Sequence, residues 1–344
     1  MSLPQTQQQI LLARRPKGVP VAEDFALATG PVPQVESVGP GQVLVRQIYL
    51  SLDPAIRGWM NESRSYLPPI ALGAPVRSGT LSQVVHSTVP EWQPGDLCQA
   101  LAAWEEYSLV PAQQLMGKIT KVPGIPLSSM LNVLGGNGLT AYFGLYDVGQ
   151  PKAGETVLVS AAAGGVGSIV GQLAKLRGCR VVGLTGSDDK CEWLCGELGF
   201  DAALNYKTAN LSQQLKDVCP NGVDVFFDNV GGELLDLVLP RLALRGRVVV
   251  CGAISEINRT EPGPGLRNVM QLMAKRARME GFVTLDYADR YAAARDELAG
   301  YVREGALKTR DEIVDGIEHA PAHLLRLFSG DHRGKLMVKV ADPS

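Results

Sequence analysis

From about residue 135 to residue 300, short apolar runs alternate with longer amphipathic ones. Thr156-Val157-Leu158-Val159-Ser160 is rich in β-branched residues and has no polar face, which predicts a buried strand. A glycine cluster follows, then a helical stretch over 168–177 that Gly178 stops. Further strands are predicted over 180–184, 202–204, 223–228, 247–251 and 279–285, with helices over 188–198, 233–244 and 266–277. Strands without a polar face, joined by helices, belong to a parallel sheet covered on both sides. Six of them match the doubly wound dinucleotide-binding (Rossmann) fold.

Up to about residue 130 the rhythm differs. Residues 42–48 alternate at period two, and Pro31, Pro33, Pro40, Pro54, Pro75, Pro90, Pro94 and Pro111 punctuate the stretch. This predicts an antiparallel β-rich domain of barrel or sandwich type. From about Gly305 the chain returns to mixed character, with a helix over 322–328 and a last strand over 336–340. That tail is expected to pack back on the first domain. The expected division is 1–131 with 306–344 in one domain and 132–305 in the other.

A length of 344 residues agrees with about two domains. With 45% hydrophobic and 20% charged residues the chain can bury sizeable cores. The 33 basic and 35 acidic side chains leave a net charge of −2, which gives no reason to expect nucleic acid or an anionic membrane as partner. No apolar run approaches the ~20 residues that cross a bilayer. The start, Met1-Ser2-Leu3-Pro4-Gln5, is polar and has no secretory signature. Six scattered cysteines (Cys98, Cys179, Cys191, Cys195, Cys219 and Cys251) fit reduced thiols, and a cytoplasmic protein is expected.

Metal chemistry finds little support. Only four His occur, His86, His319, His323 and His332, and there is no Cys-x-x-Cys pair. Cys191 and Cys195 are one helical turn apart; they read as small residues on a helix face before they read as ligands. Pro321 places His319 and His323 across a helix start. A zinc site needs three or four ligands, and none can be assembled, so no metal is expected.

The candidate chemistry lies in Ala161-Ala162-Ala163-Gly164-Gly165-Val166-Gly167-Ser168. The strict G-x-G-x-x-G pattern fails at Val170, but A-x-x-G-x-x-G fits through Ala161, Gly164 and Gly167, after a strand and before a helix. Missing side chains let the backbone approach a pyrophosphate, at which the first helical N–H groups point. Gly171 allows close helix–sheet approach. The alternative is a tight turn with no ligand. An NAD site usually has a carboxylate at the end of the second strand; here that strand ends Leu184-Thr185-Gly186-Ser187. Asp188 and Asp189 come late and suit helix capping. Lys190 suits a 2′-phosphate, or is a solvated surface residue; NADP is preferred. Asn229-Val230-Gly231-Gly232 and Cys251-Gly252-Ala253-Ile254-Ser255 follow the fourth and fifth strands, where ligands gather in such sheets. Each also reads as a plain βα turn.

These segments recur in order with Leu52-Asp53-Pro54 and Arg57, Gly138-Leu139-Thr140-Ala141-Tyr142, Asn205-Tyr206-Lys207 and Phe227-Asp228. Across nearly its whole length the chain resembles the zinc-independent medium-chain dehydrogenases/reductases. That family holds leukotriene B4 hydroxydehydrogenases, prostaglandin reductases, plant alkenal double-bond reductases and bacterial curcumin reductases. The resemblance implies a GroES-like catalytic domain with the Rossmann domain, NADP(H) as cofactor, reduction of the C=C bond of enones and enals, and a homodimer. It places Gly164, Gly165, Val166 and Gly167 at the pyrophosphate, Lys190 and Tyr206 at the adenosine phosphate, and Asn229 at the nicotinamide half. Cys251, Gly252, Ala253, Ile254, Ser255 and Ile257, with Phe282, Val283 and Thr284, would border the nicotinamide. Arg57, Tyr66 and Ile257 fall on the substrate side; Tyr66, in Arg64-Ser65-Tyr66-Leu67-Pro68-Pro69, resembles the substrate-contacting Tyr of the curcumin reductases. Three departures stand out. Gly135-Gly136-Asn137-Gly138 stands where many members read Gly-Met-Pro-Gly, Ile257 replaces a Tyr, and His332 replaces an Asn that touches the cofactor.

The reaction so implied is hydride transfer from NADPH to the β-carbon of an α,β-unsaturated carbonyl, with charge developing on the carbonyl oxygen. Without zinc that oxygen needs donors, the cofactor's ribose 2′-hydroxyl and Tyr66 being the candidates. Preorganised donors of this kind are worth roughly 3–4 kcal/mol each. Tyr66 otherwise lines the site without chemistry. A quinone oxidoreductase and a non-catalytic NADPH-binding protein stand as alternatives. The strand near 279–285 is a candidate for pairing across a two-fold axis.

Overall fold

The β-branched runs of the central segment assemble into one six-stranded sheet. Its strands are β1 (Thr156–Val159), β2 (Arg180–Thr185), β3 (Ala202–Asn205), β4 (Val223–Asp228), β5 (Leu242–Val250) and β6 (Arg278–Gly281). All pairings are parallel, and the spatial order is β3-β2-β1-β4-β5-β6, that of the doubly wound dinucleotide fold. Leu158, Val182, Leu184, Val225, Phe226 and Phe227 are wholly buried, as strands covered on both faces require. The structure, a computed structural model, describes residues 3–63 and 65–344. Met1 and Ser2 of the polar start, and Arg64 beside Tyr66, lie outside the described residues. The chain divides into two units, Met1–Leu131 with Asp311–Ser344, and Asn132–Arg310.

Several elements of the sheet unit depart from the sequence pattern. The helix after β1 is Gly165–Leu176, so Gly165 and Gly167 are themselves helical. The helix predicted over 233–244 is only Gly232–Val238, followed by a 3-10 turn at Leu239–Arg241. Pro240 has no N–H to continue it, and the chain enters β5 already at Leu242. The helix predicted over 266–277 shrinks to Met270–Lys275; β6 stops at Gly281, and Thr284–Arg290 winds as 3-10 turns. A further helix, Leu211–Val218, connects β3 to β4 and buries Leu211 and Leu215 in the core.

In the other unit a seven-stranded sheet runs in the order Asp311–Asp315, Lys335–Lys339, Gln42–Ser51, Arg77–Ser87, Leu97–Ala103, Leu115–Lys118, with Tyr107–Pro111 also paired to Gln42–Ser51. The period-two pattern of 42–48 is broken: Val43, Leu44 and Val45 are all buried, and register shifts fall between Leu44/Val45 and Gln47/Tyr49. Bulges of this kind bend the strand and re-aim its side chains. Lys335–Lys339 lies antiparallel to Gln42–Ser51. Helix Ala320–Ser329 packs Leu324 and Leu327 into a core with Ile10, Leu50, Trp59 and Trp104; burying each such side chain is worth roughly 1.5–3 kcal/mol. The fold class is α/β, a β-rich unit and a Rossmann sheet.

Candidate functional site

Between β1 and β4 the strand order reverses, and beyond the carboxyl ends of such strands ligands bind. After β1 the chain turns through 160–164 into helix Gly165–Leu176. Ala161 takes φ 47°, a left-handed conformation that costs an L-residue roughly 1–2 kcal/mol. Its carbonyl thereby accepts the Gly164 N–H at 2.9 Å. A Cβ on Gly167 would stand 2.5 Å from Ala161 O, one on Gly164 3.2 Å from the same atom, and one on Gly171 1.9 Å from the Phe200 ring. Backbone contact therefore requires Gly167, and ring contact Gly171. The helix has no side-chain cap. Ser168 N–H donates to Gly164 O at 3.0 Å, so the amides of Gly165, Val166 and Gly167 face out of the helix end. Uncapped amides in a glycine cradle suit a phosphate group.

At the end of β2, Gly186 sits against the residues that follow β3. A Cβ there would lie 3.0 Å from Tyr206 Oη and 3.4 Å from Lys207 Cε, and Tyr206 N–H donates to Thr185 O at 2.9 Å. Lys190 stands half-buried in the first turn of helix Asp188–Gly196. Asp188 Oδ1 accepts from Asn205 Nδ2 at 2.8 Å, which turns that carboxylate toward β3. Lys207, not singled out by spacing, is thus a second cation on this side.

The turn after β4 is organised by a wholly buried pair, Ser160 and Asp228. Ser160 Oγ donates to Asp228 Oδ1 at 2.8 Å, and the Asn229 N–H donates to Ser160 Oγ at 2.8 Å. Val230 and Gly231 N–H groups also bond Asp228. Burial raises the Asp228 pKa above its ordinary value, and these donors oppose the rise. Asn229 Nδ2 donates to Ser160 O at 2.7 Å. Gly231 (φ 72°) and Gly232 (φ 56°) take the conformations that glycine tolerates.

The segment after β5 is laced onto this turn. Cys251 and Gly252 N–H groups donate to Asp228 O, Ile254 N–H to Asn229 O, and Ser255 N–H to Val230 O. Burial pushes the Cys251 thiol up to about 12, away from the thiolate form. Ile257 is half-buried, and next to it Asn258 Oδ1 is buried without a hydrogen-bond partner, an acceptor the sequence did not flag. Phe282, Val283 and Thr284 follow β6. The Phe282 ring leaves no room at Gly144, where a Cβ would be 2.5 Å from Cζ, and Thr284 O accepts the Tyr291 hydroxyl at 2.9 Å. Gly138 is equally constrained: its Cβ would stand 1.7 Å from Val133 O. Asn137, one of the departures, is buried and donates Nδ2–H to Asn132 Oδ1 at 3.3 Å, a structural duty. The structure thus gathers Gly164 to Gly167, Asn229, Cys251 to Ser255 and Phe282 to Thr284 after the carboxyl ends of β1, β4, β5 and β6, with Lys190 and Tyr206 after β2 and β3.

Three other residues lie in the β-rich unit. Tyr66 is 55% exposed on the loop between helix Ala55–Trp59 and strand Arg77–Ser87. Arg57 is buried, and its guanidinium donates to Pro16 O, Gly18 O and Asn61 Oδ1; that set of bonds ties loop to helix. The His332 ring has Nδ1 3.2 Å from Arg326 O. Among the described residues, no group of three or more His, Cys, Asp or Glu is placed to hold a metal ion, and no helix is long and apolar enough to cross a membrane.

Known proteins bear on this arrangement. Residues 8–117 match the family model described as N-terminal domain of oxidoreductase, and 165–300 the one described as zinc-binding dehydrogenase. The chain is 42% identical over 342 residues to the NADPH-dependent curcumin reductase of Escherichia coli, covering 98% of each. It is 39% identical over 338 residues to the NADP(+)-dependent 2-alkenal reductase of Nicotiana tabacum, again covering 98% of each. The crystal structure of CurA from Vibrio vulnificus in complex with NADPH superposes with a TM-score of 0.90 at 38% identity, over 98% of this chain and 100% of that one.

Proposed function

The chain belongs to the zinc-independent medium-chain dehydrogenase/reductase family, and from that premise we propose that it reduces the carbon–carbon double bond of α,β-unsaturated ketones and aldehydes with NADPH. The observation that carries the reading is the turn at 161–167, where a Cβ on Gly167 would strike Ala161 O at 2.5 Å while three helical amides face outward. A cradle so shaped fits a dinucleotide pyrophosphate. Curcumin, alkenal and prostaglandin reductases among the relatives supply the substrate class.

In this reading Asn132–Arg310 is the NADP-binding domain and Met1–Leu131 with Asp311–Ser344 the catalytic one. The amides of Gly165, Val166 and Gly167 take the pyrophosphate, with Gly164 turning the chain. Lys190, Tyr206 and Lys207 take the 2′-phosphate. Asn229, the backbone of Cys251 to Ser255 with Ile257, and Phe282 to Thr284 border the nicotinamide, and His332 keeps a cofactor contact. When bound, NADPH supplies the hydride for the β-carbon. Tyr66 Oη–H donates to the carbonyl oxygen as charge gathers there, and the α-carbon takes a proton from water. Arg57 stands on the substrate side as a support, its bonds to Pro16 O, Gly18 O and Asn61 Oδ1 holding the segment beneath Tyr66. A cytoplasmic homodimer completes the reading.

NADPH consumption measured against enals, enones and quinones of graded size tests it. Turnover of enals and enones, undiminished by a chelator, is the expected result. Turnover confined to quinones, or NADPH bound but never oxidised, would overturn it. Tyr66→Phe is expected to lower kcat about 10²–10³-fold without weakening NADPH binding; full turnover on every enone removes the donor role.

A further inference from the structure

Among its described residues the loop that carries Tyr66 has little regular structure of its own; backbone bonds of Gly73, Ala74 and Val76 to Ile10 and Leu12 hold its far end, and arginines hold the rest. Ile70 N–H closes its base on Trp59 O at 2.7 Å. Arg15 Nη1 bridges both ends, donating to Met60 O and to Ile70 O at 3.1 Å. Arg57 fixes Asn61. Arg77, at the start of strand Arg77–Ser87, donates Nη2–H to Pro68 O at 2.6 Å and lays its Cζ 5.5 Å from the centre of the Trp59 ring. Trp59 in turn meets the Tyr66 ring edge-on, with centroids 6.2 Å apart and planes at 83°.

Arg77 differs from its companions in what balances its charge. Arg15 pairs with Glu62, and Arg57 feels the charge of Asp24. Among the described residues no carboxylate pairs with Arg77, and its Nε is buried without a hydrogen-bond partner. Burial draws its pKa down, and Tyr66 is the titratable neighbour that draws it back up. A loop clamp alone has no use for a half-buried cation without a carboxylate partner whose Nε–H is buried and unpaired, since leaving such a donor unsatisfied is costly. A cation near a phenol favours the charge that gathers on the phenol oxygen as its proton is shared with an acceptor.

We propose that Arg77 is a positioning residue for Tyr66: through Pro68 O and the Trp59 face it holds the loop in one orientation, and its unbalanced charge makes the phenol a stronger hydrogen-bond donor. This rests on the reading of Tyr66 as the donor to the substrate oxygen, and the test separates the two. It uses the full chain with Arg77→Gln, Arg77→Lys, Tyr66→Phe and the Tyr66→Phe/Arg77→Gln double variant. Two quantities are read: kcat and KM for an enone, and an ultraviolet difference titration of phenol ionisation referenced to Tyr66→Phe, which needs no turnover.

Arg77→Gln is expected to lower kcat about 10–100-fold, to leave the KM for NADPH unchanged, and to raise the Tyr66 ionisation by about one pH unit. Arg77→Lys keeps the charge without the planar fork, so it restores the titration and only part of kcat. In the Tyr66→Phe background Arg77→Gln adds little further loss. Multiplicative losses in the double variant, or an unshifted phenol titration in Arg77→Gln, overturn the proposal. If Arg77→Gln does not fold, Arg77→Lys decides: kcat equal to wild type overturns it. Full turnover by Tyr66→Phe defeats the reading of Tyr66, and this proposal with it; a slow Tyr66→Phe beside an unimpaired Arg77→Gln defeats this proposal alone.

Discussion

Gly186 follows β2 where NAD sites carry a ribose-binding carboxylate, and even a Cβ there would meet Tyr206 Oη at 3.0 Å. Tyr206 and Lys207 instead flank a position with no side chain, and with Lys190 on the helix that follows β2 they are the groups we propose for the 2′-phosphate. Lys190→Ala is expected to weaken NADPH about tenfold, roughly 1.4 kcal/mol, and to leave NADH unchanged. Fluorescence titration with both nucleotides checks this, and an unchanged preference removes the assigned contact. At this scale the sequence singles out residues by their distance from a strand end, such as Gly164, Gly167, Lys190 and Asn229, and the structure places them after β1, β2 and β4. Ser160 and Asp228 gave no signal as a pair, because their bond spans 68 positions. Arg57 was legible as part of a motif but not as a structural tie, since its partners at Pro16 and Gly18 lie about forty residues upstream.

Elements formed where pattern and chemistry agreed. β1, β2 and β4 have no polar face and sit near their predicted bounds. The helix at 233–244 was misread because an apolar helix and an apolar strand look alike across Leu237–Leu244 until Pro240 is weighed. β5 brings a tie of its own. Arg247 donates to Gly149 O and Gln150 O, each at 3.0 Å, and forks onto the Glu155 carboxylate, fastening the π-helical turn Gly144–Gly149. Burial pushes the Glu155 pKa up, but the Arg247 bond and the Lys152 N–H outweigh it, so the group stays below its ordinary value. A depressed folded-state pKa means stabilisation that is fully present above the unfolded value and lost as pH falls through the folded one. Glu155→Gln is therefore expected to cost about 1 kcal/mol near neutral pH, with the difference from wild type closing below about pH 4. Chemical denaturation at both pH values checks it; a constant difference would show that the charge contributes nothing.

For the whole molecule, β6 is the outer strand of its sheet, and all four of its residues, Arg278 to Gly281, are exposed. Met270 and Met273 on the preceding helix are 61% and 68% exposed. An unpaired edge beside apolar side chains is a surface that proteins rarely leave to water, and we propose that a second copy covers it by two-fold pairing. Sedimentation should find a dimer at micromolar concentration, with Met273→Glu shifting it toward monomer; a wild-type monomer would end the proposal. The sequence marked this strand as an edge candidate, but placed it over 279–285, because Phe282 to Leu285 continue its apolar run before the 3-10 turns begin.

The lacing of 251–255 onto the turn after β4 is made almost wholly by amides and carbonyls. Ile254 and Ile257 are tied by their own backbone amides, on Asn229 O and Ala253 O. Their side chains are interchangeable fittings on a fixed mount: exchanging them should redraw the shape offered to a molecule while the reductant stays seated. A library randomised at those two positions should accordingly yield folded proteins that differ in which unsaturated carbonyl they accept, while binding NADPH alike.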